Sequence, residues 1–267
     1  MDIALVYMVA GLSSRFGGKI KQFAKVGPKG ETIIEYSLNQ ALPEGFTKII
    51  FIVGNKTEKP FRDMFGESYK GIPIFYSQQK FNEEEREKPW GTADALCSAK
   101  DVINCPFVVC NGDDIYGAET FRILVNHLKN KSTGATIGYK LKDVLPSEGK
   151  VNRGIFKFNS DNTVKSLTEI FEIAEENLEE KGLSQESLCS MNIFALHPEI
   201  VKELDFILKK FKEEHEGDKK IECLLPEEIG RLIEQKRLIV YLYPTNSRWF
   251  GITNPQDEEK IREELKK

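Results

Sequence analysis

The chain has 267 residues, 38 Lys and Arg against 42 Asp and Glu, and a formal charge of −4; its 40% hydrophobic and 30% charged content excludes a wholly disordered, collagenous or coiled-coil chain and fits one large α/β domain or two small ones. No apolar run approaches the roughly 20 residues of a membrane-spanning helix, and the mild acidity argues against a nucleic-acid coat. With no signal-peptide pattern after Asp2, a cytoplasmic protein without membrane or nucleic-acid partners is expected.

In chain order, strands are predicted near 3–9, 47–53, 72–77, 106–110 and 133–139, with helices near 31–41, 57–65, 91–100 and 118–130 between them. That alternation is the pattern of βαβ units feeding a mostly parallel sheet flanked by helices. The second half changes character. A hairpin over 154–158 and 162–168 turns at Ser160-Asp161-Asn162, where an Asp-Asn pair tolerates turn conformations. A strand at 188–196, helices near 198–212 and 223–235, a strand at 238–243 and a Glu/Lys-rich helix from Asp257 complete the chain. No Pro/Gly/Ser-rich linker divides the halves, so a single domain over 1–267 is expected. Five cysteines (Cys97, Cys105, Cys110, Cys189, Cys223) form no C-x-x-C pair and read as buried reduced thiols.

The loop after the first strand runs Val9-Ala10-Gly11-Leu12-Ser13-Ser14-Arg15-Phe16-Gly17-Gly18-Lys19-Ile20-Lys21-Gln22-Phe23. Small residues let backbone N–H groups approach phosphate oxygens, and Arg15, Lys19 and Lys21 can neutralise a polyphosphate. Spacing excludes two other phosphate loops. In the P-loop frame that ends on Gly18-Lys19 the first glycine falls on Ser13 and Ile20 follows the lysine. The dinucleotide fingerprint would need glycines at Ser13 and Phe16. Further along, Asn111-Gly112-Asp113-Asp114 follows an apolar strand, and a carboxylate at a strand's C-terminal edge faces the crevice where open α/β sheets bind ligands and suits a hard cation. Asp114 reads as a helix N-cap or a support for Asp113. The histidines His127, His197 and His215 are isolated, and no G-x-S-x-G elbow is present.

These stretches resemble the nucleotidyltransferase superfamily that makes activated sugars and alcohols. Its opening motif, A-G-x-G-(T/S)-R followed by P-K or P-K-Q, is matched by Ala10, Gly11, Ser14, Arg15 and Lys21-Gln22, with Ser13 and Ile20 replacing a glycine and a proline. Lys88-Pro89-Trp90-Gly91-Thr92-Ala93-Asp94-Ala95 resembles the segment lying against the nucleobase, with Gln78 or Gln79 placed to read a base edge. Arg153-Gly154-Ile155-Phe156, Val164 to Glu169 and Met191-Asn192-Ile193-Phe194 resemble the acceptor-binding strands.

The resemblance implies a Rossmann-like sheet with a nucleotide-binding half near 1–140 and a small β-rich acceptor-binding half near 141–250. It implies Arg15, Lys21 and Asp113 as catalytic residues, Ala10, Gly11, Ser13, Ser14, Gln79, Gly91 and Thr92 at the nucleotide, and Gly154, Glu169 and Asn192 at the acceptor. Mg2+ is the implied cofactor, at Asp113. Two departures stand out. Gly251, in Trp249-Phe250-Gly251, takes the place of a second metal-binding aspartate, leaving Asp113 with phosphates and water or, less favoured, help from Asp257. Ile170 takes the place of the family's acceptor-phosphate lysine, for which Lys140, Lys150 or Arg153 could substitute.

The implied partners are a nucleoside triphosphate and a phosphorylated small-molecule acceptor, and a homo-oligomer is left open. The leading acceptor is a sugar 1-phosphate. Cytidylyl transfer to an alcohol phosphate such as phosphocholine is the nearest alternative, favoured if Trp90, Tyr116 and Phe171 converge into an aromatic cage. A nucleotide-sensing protein with weakened catalysis is the third reading.

Overall fold

Ala4–Met8 is five apolar residues, all buried, and alternation along it decides the layering. Leu5 and Tyr7 pack into one hydrophobic cluster, Ala4, Val6 and Met8 into another, as expected for a strand covered on both faces. The computed structural model describes residues 1–11, 16–146, 149–252 and 254–266.

The first half comprises β1 (Ala4–Met8), α1 (Ile33–Ala41), β2 (Lys48–Val53), α2 (Glu58–Phe65), β3 (Ser68–Tyr69), β4 (Ile72–Gln78), α3 (Thr92–Ser98), β5 (Phe107–Asn111), β6 (Asp114–Ile115), α4 (Ala118–Asn130) and β7 (Gly134–Lys140). The rest comprises α5 (Leu141–Val144), β8 (Val151–Phe158), β9 (Val164–Ile173), β10 (Leu188–Cys189), β11 (Phe194–Leu196), α6 (Glu199–Glu214), α7 (Leu225–Glu234), β12 (Val240–Pro244), β13 (Phe250–Gly251) and α8 (Asp257–Glu264). One sheet runs β3-β4-β2-β1-β5-β11-β7-β10-β8-β9, with β12 beside β7. It is parallel through β4-β2-β1-β5 and in the β7–β12 pair, and antiparallel elsewhere. Both halves therefore share one sheet.

Helices α1, α2 and α4 cover one face through Ile34, Leu38, Phe61, Phe121 and Leu124. Helices α3, α6 and α7 cover the other through Leu96, Val201, Leu204, Ile229 and Leu232. Helix α1 starts on a reciprocal cap: the Glu35 N–H donates to Thr32 Oγ1 (3.3 Å) and the Thr32 N–H to Glu35 Oε2 (2.8 Å). Among the described residues, no helix is long and apolar enough to cross a membrane. Four of the five cysteines are buried and none is in a disulfide.

Two differences from the sequence-based prediction bear on the site. The expected strand at 188–196 is two short strands, β10 and β11, because Asn192 takes a left-handed conformation (φ 58°) and its backbone N–H donates to Ser190 Oγ (3.1 Å) instead of to a neighbouring strand. The ribbon that pairs β6 with β13, Asp114 opposite Gly251, is two residues long on each side, too short to leave a periodic signal.

Candidate active site

The strand ends of β1, β4 and β5 open onto a cavity of about 530 Å3 lined by Ala10, Gly11, Lys21, Gln79, Gly91 and Asp113 among others. Backbone crowding shapes its walls. A Cβ on Gly54 would stand 2.9 Å from the Ala10 carbonyl oxygen, and one on Gly112 would stand 2.3 Å from Val9 Cγ1. Lys21, opening a short 3₁₀ turn (Lys21–Phe23), forms an ion pair with Asp113, so the loop and the end of β5 are tied where cation and carboxylate face the cavity together. Ser13, Ser14 and Arg15 lie outside the described residues.

The base segment is built on the second half of the chain. Gly91 has φ 98°, and a Cβ there would meet the Cys223 carbonyl oxygen at 2.5 Å, so glycine is required twice over. Thr92 is the first residue of α3, yet its hydroxyl does not cap that helix. Its Oγ1 accepts from the Leu225 N–H (2.8 Å), serving the start of α7 instead. The Gln79 amide is fixed by two bonds from Nε2, to the Gly91 carbonyl (3.0 Å) and to Asp94 Oδ2 (2.7 Å). Asp94 in turn accepts from Lys212 Nζ (2.6 Å) on α6. Gln79 Oε1 is left as an acceptor in a residue that lines the cavity.

A second cavity, of about 320 Å3, adjoins the first and shares Thr92, Asn111 and Asp113 with it. Gly154, Glu169 and Asn192 all line it, so the three acceptor residues expected from the sequence lie together beside Asp113. A side chain on Gly154 would press on Leu167 at 2.9 Å and approach Glu169 Oε2 at 3.5 Å. Asn192 donates from Nδ2 to Asn111 Oδ1 (2.6 Å), and Asn111 donates from its own amide to Asp114 Oδ2 (2.9 Å). Burial first, then Glu227, raises the Glu169 carboxyl above the ordinary range, against the pull of Arg153.

Asp114 is 5% exposed and also accepts from the Tyr116 hydroxyl (3.1 Å). Burial, reinforced by Asp113, pushes its carboxyl up to about 7. It is not a helix cap; Gly117 occupies that position for α4. Asp257 accepts from the Asn254 N–H (2.7 Å) at the start of α8 and lines a neighbouring depression, not the cavity that holds Asp113. The three aromatic residues considered for a cage do not meet. Trp90 stacks under Arg86 (3.4 Å) and beside Phe211, Tyr116 is fully buried and Phe171 is 59% exposed. His127 is a core residue, between the Tyr243 hydroxyl and the Thr133 carbonyl, both 3.0 Å away. Asn111 and the Asp94–Lys212 pair went unseen in the sequence; only the position of Asn111 before Gly112-Asp113 carried a signal for any of them.

A cavity at the carboxyl ends of parallel strands adjoins a second one walled by the antiparallel β8–β9 pair, and Asp113, paired with Lys21, lies on the wall they share. The model of the nucleotidyl transferase family matches residues 18–266, and the chain belongs to that family. A bifunctional GlmU protein of Methanococcus vannielii is 27% identical over 209 residues, 78% of this chain and 44% of that protein; the chain thus spans less than half the length of this relative. Among solved structures, a UDP-glucose pyrophosphorylase complexed with UDP-glucose matches with TM-score 0.70 and 16% identity over 100% of this chain and 99% of that one. An inositol-1-phosphate CTP transferase from T. maritima matches with TM-score 0.68 and 13% identity over 100% and 97%.

Proposed function

We propose that the protein transfers a nucleoside monophosphate from a nucleoside triphosphate to a sugar 1-phosphate, releasing pyrophosphate. The observation that carries this reading is the pair of adjoining cavities. One is walled by the phosphate loop and base segment, the other by Gly154, Glu169 and Asn192, with Lys21 and Asp113 at the junction. Glu169 and the Asn192 carbonyl suit hydroxyl donors of a polyol.

An oxygen of the acceptor phosphate forms a bond to the α-phosphorus. The bond from that phosphorus to the α–β bridging oxygen breaks, and its electron pair leaves on pyrophosphate. A phosphomonoester carries about −1.5 to −2 charge at neutral pH, so no general base is required, in keeping with cavities lined by no histidine among the described residues. Lys21 meets the α-phosphate and neutralises charge as it shifts toward the leaving group. Arg15 is assigned to the β- and γ-phosphates on the motif alone.

The donor set fits magnesium. Asp113 is a carboxylate on the wall shared by the two cavities, and hard magnesium takes oxygen ligands. That suits a cation held by one or two carboxylates, phosphate oxygens and water. When bound at Asp113, magnesium supplies charge neutralisation to the triphosphate.

The test is pyrophosphate release from each of the four common triphosphates against sugar 1-phosphates and alcohol phosphates. Turnover with a sugar 1-phosphate is expected; turnover confined to alcohol phosphates would reject the acceptor, and none with any pair would reject the activity.

A further inference from the structure

Three buried polar atoms with no hydrogen-bond partner among the described residues, Arg153 Nε, Trp249 Nε1 and Asn192 Oδ1, belong to residues that line the acceptor cavity. Buried polar groups are nearly always paired, so each of these calls for a partner that a bound ligand can supply once the side chain turns toward it. They sort by chemistry. Arg153 and Trp249 each offer an N–H donor, whereas the Asn192 oxygen and the Glu169 carboxylate accept.

Charge separates the two sides further. The cavity is lined by the carboxylates Asp113, Asp114 and Glu169, and Arg153 is the one cation among its described lining residues. Lys140 pairs with Glu186 at 2.8 Å and Lys150 faces Glu172 at 4.0 Å; neither lines the cavity. Arg153 is held in place from both sides. A register shift between Val151 and Arg153 brings Arg153 directly across the ladder from Ile170, with Glu172 in the left-handed region (φ 55°), the kind of bulge that re-aims side chains. Its Nη1 donates to the Asn152 carbonyl (2.9 Å), and its guanidinium lies 5.7 Å from the centroid of the Trp249 ring. The indole has room because residue 251 is glycine: a Cβ there would fall 2.4 Å from Trp249 Cζ2.

We propose that Arg153 and Trp249 form the clamp for the acceptor's phosphate dianion, the guanidinium providing charge and an N–H donor and the indole a second donor. The assignment rests on the two-substrate reading above. Arg153 stands opposite the apolar Ile170, so the cation reaches the cavity from the neighbouring strand, and Gly251 serves the clamp by leaving space for the indole.

The chain has two tryptophans, so Trp90→Phe leaves Trp249 as a local fluorophore. Titration of that protein with inorganic phosphate, and separately with glucose 1-phosphate, should give a saturable change in emission. Adding Arg153→Gln should weaken both affinities by roughly ten- to a hundred-fold while triphosphate affinity stays within about twofold, which controls for folding. Arg153→Lys should recover only part of the loss, since an ammonium lacks the planar guanidinium donor set. No saturable change in the parent, or equal phosphate affinity in Arg153→Gln, overturns the clamp. Phosphate binding needs no turnover, so failure of the proposed reaction is seen separately, as absence of pyrophosphate from every substrate pair.

Discussion

Gly251 allows a sharp test, because the family resemblance points to an aspartate there and the geometry excludes one. A Cβ at 251 would lie 2.4 Å from Trp249 Cζ2 and 2.6 Å from Asp114 Oδ1. Overpacking by a methyl group costs about 1–3 kcal/mol, the loss expected for Gly251→Ala. Gly251→Asp adds a carboxylate beside Asp114. Two ionised groups about 4 Å apart repel by about 4 kcal/mol at an effective dielectric constant near 20. Asp114 takes up its proton at about 7, so this added cost should be largest at pH 8 and shrink toward pH 5.5, while the alanine cost stays level. Urea unfolding of the parent and both variants at those two pH values, in magnesium-free buffer, separates the contributions. A Gly251→Asp protein as stable as the parent at pH 8 would refute the steric and charge argument together.

Lys21→Ala should lower pyrophosphate release by at least 10²-fold, the scale for losing one charge-stabilising donor, with the fold retained by circular dichroism; a near-normal rate would remove Lys21 from the chemistry. Lys212→Met should destabilise by about 1–3 kcal/mol. It strands the Asp94 carboxylate, whose side chain is 9% exposed, although Lys212 itself is 36% exposed and solvent-screened. Adding Asp94→Asn should recover most of that loss in a double-mutant cycle, and strict additivity would argue against the pair. The raised Asp114 carboxyl sets a pH slope. The folded chain keeps this proton up to about 7 while the unfolded chain releases it near the ordinary value of about 3.9, so metal-free stability should fall as pH rises between those values and level off above. Asp114→Asn should flatten that segment of the curve, and an unaltered slope would contradict the assignment.

The nucleotide half was legible because its strands are continuous buried apolar runs and its helices carry one-sided apolar periodicity, as β1, β2 and α4 illustrate. Gly154, Glu169 and Asn192 were singled out as motif positions, and all three line one cavity with Asp113. What escaped was long-range. The strand predicted across 188–196 breaks around Asn192, which turns left-handed and whose side-chain Nδ2 donates to Asn111 Oδ1, 81 residues away. The direction of the Gln79 amide depends on Asp94 and, through it, on a lysine 118 residues further on. The bond made by Thr92 is also long-range: this residue opens α3, but the backbone donor its hydroxyl satisfies is Leu225 at the start of α7.

The base segment has its abutment in the other half. The Cys223 N–H donates to the Trp90 carbonyl (2.7 Å), the Ala93 N–H to the Cys223 carbonyl (3.0 Å), and Arg86 Nη2 to the Ile221 carbonyl (2.5 Å). The first 140 residues are therefore not a separable cassette. A fragment cut near residue 140 would lose the backbone that holds Gly91, and a chimera exchanging acceptor halves would have to carry the 218–225 stretch along with its original base segment. Strand β9 is joined to the same seam at one remove, because α7, whose first residue Leu225 is tied to Thr92, packs on it so closely that a Cβ on Gly230 would fall 2.7 Å from the Leu167 carbonyl oxygen.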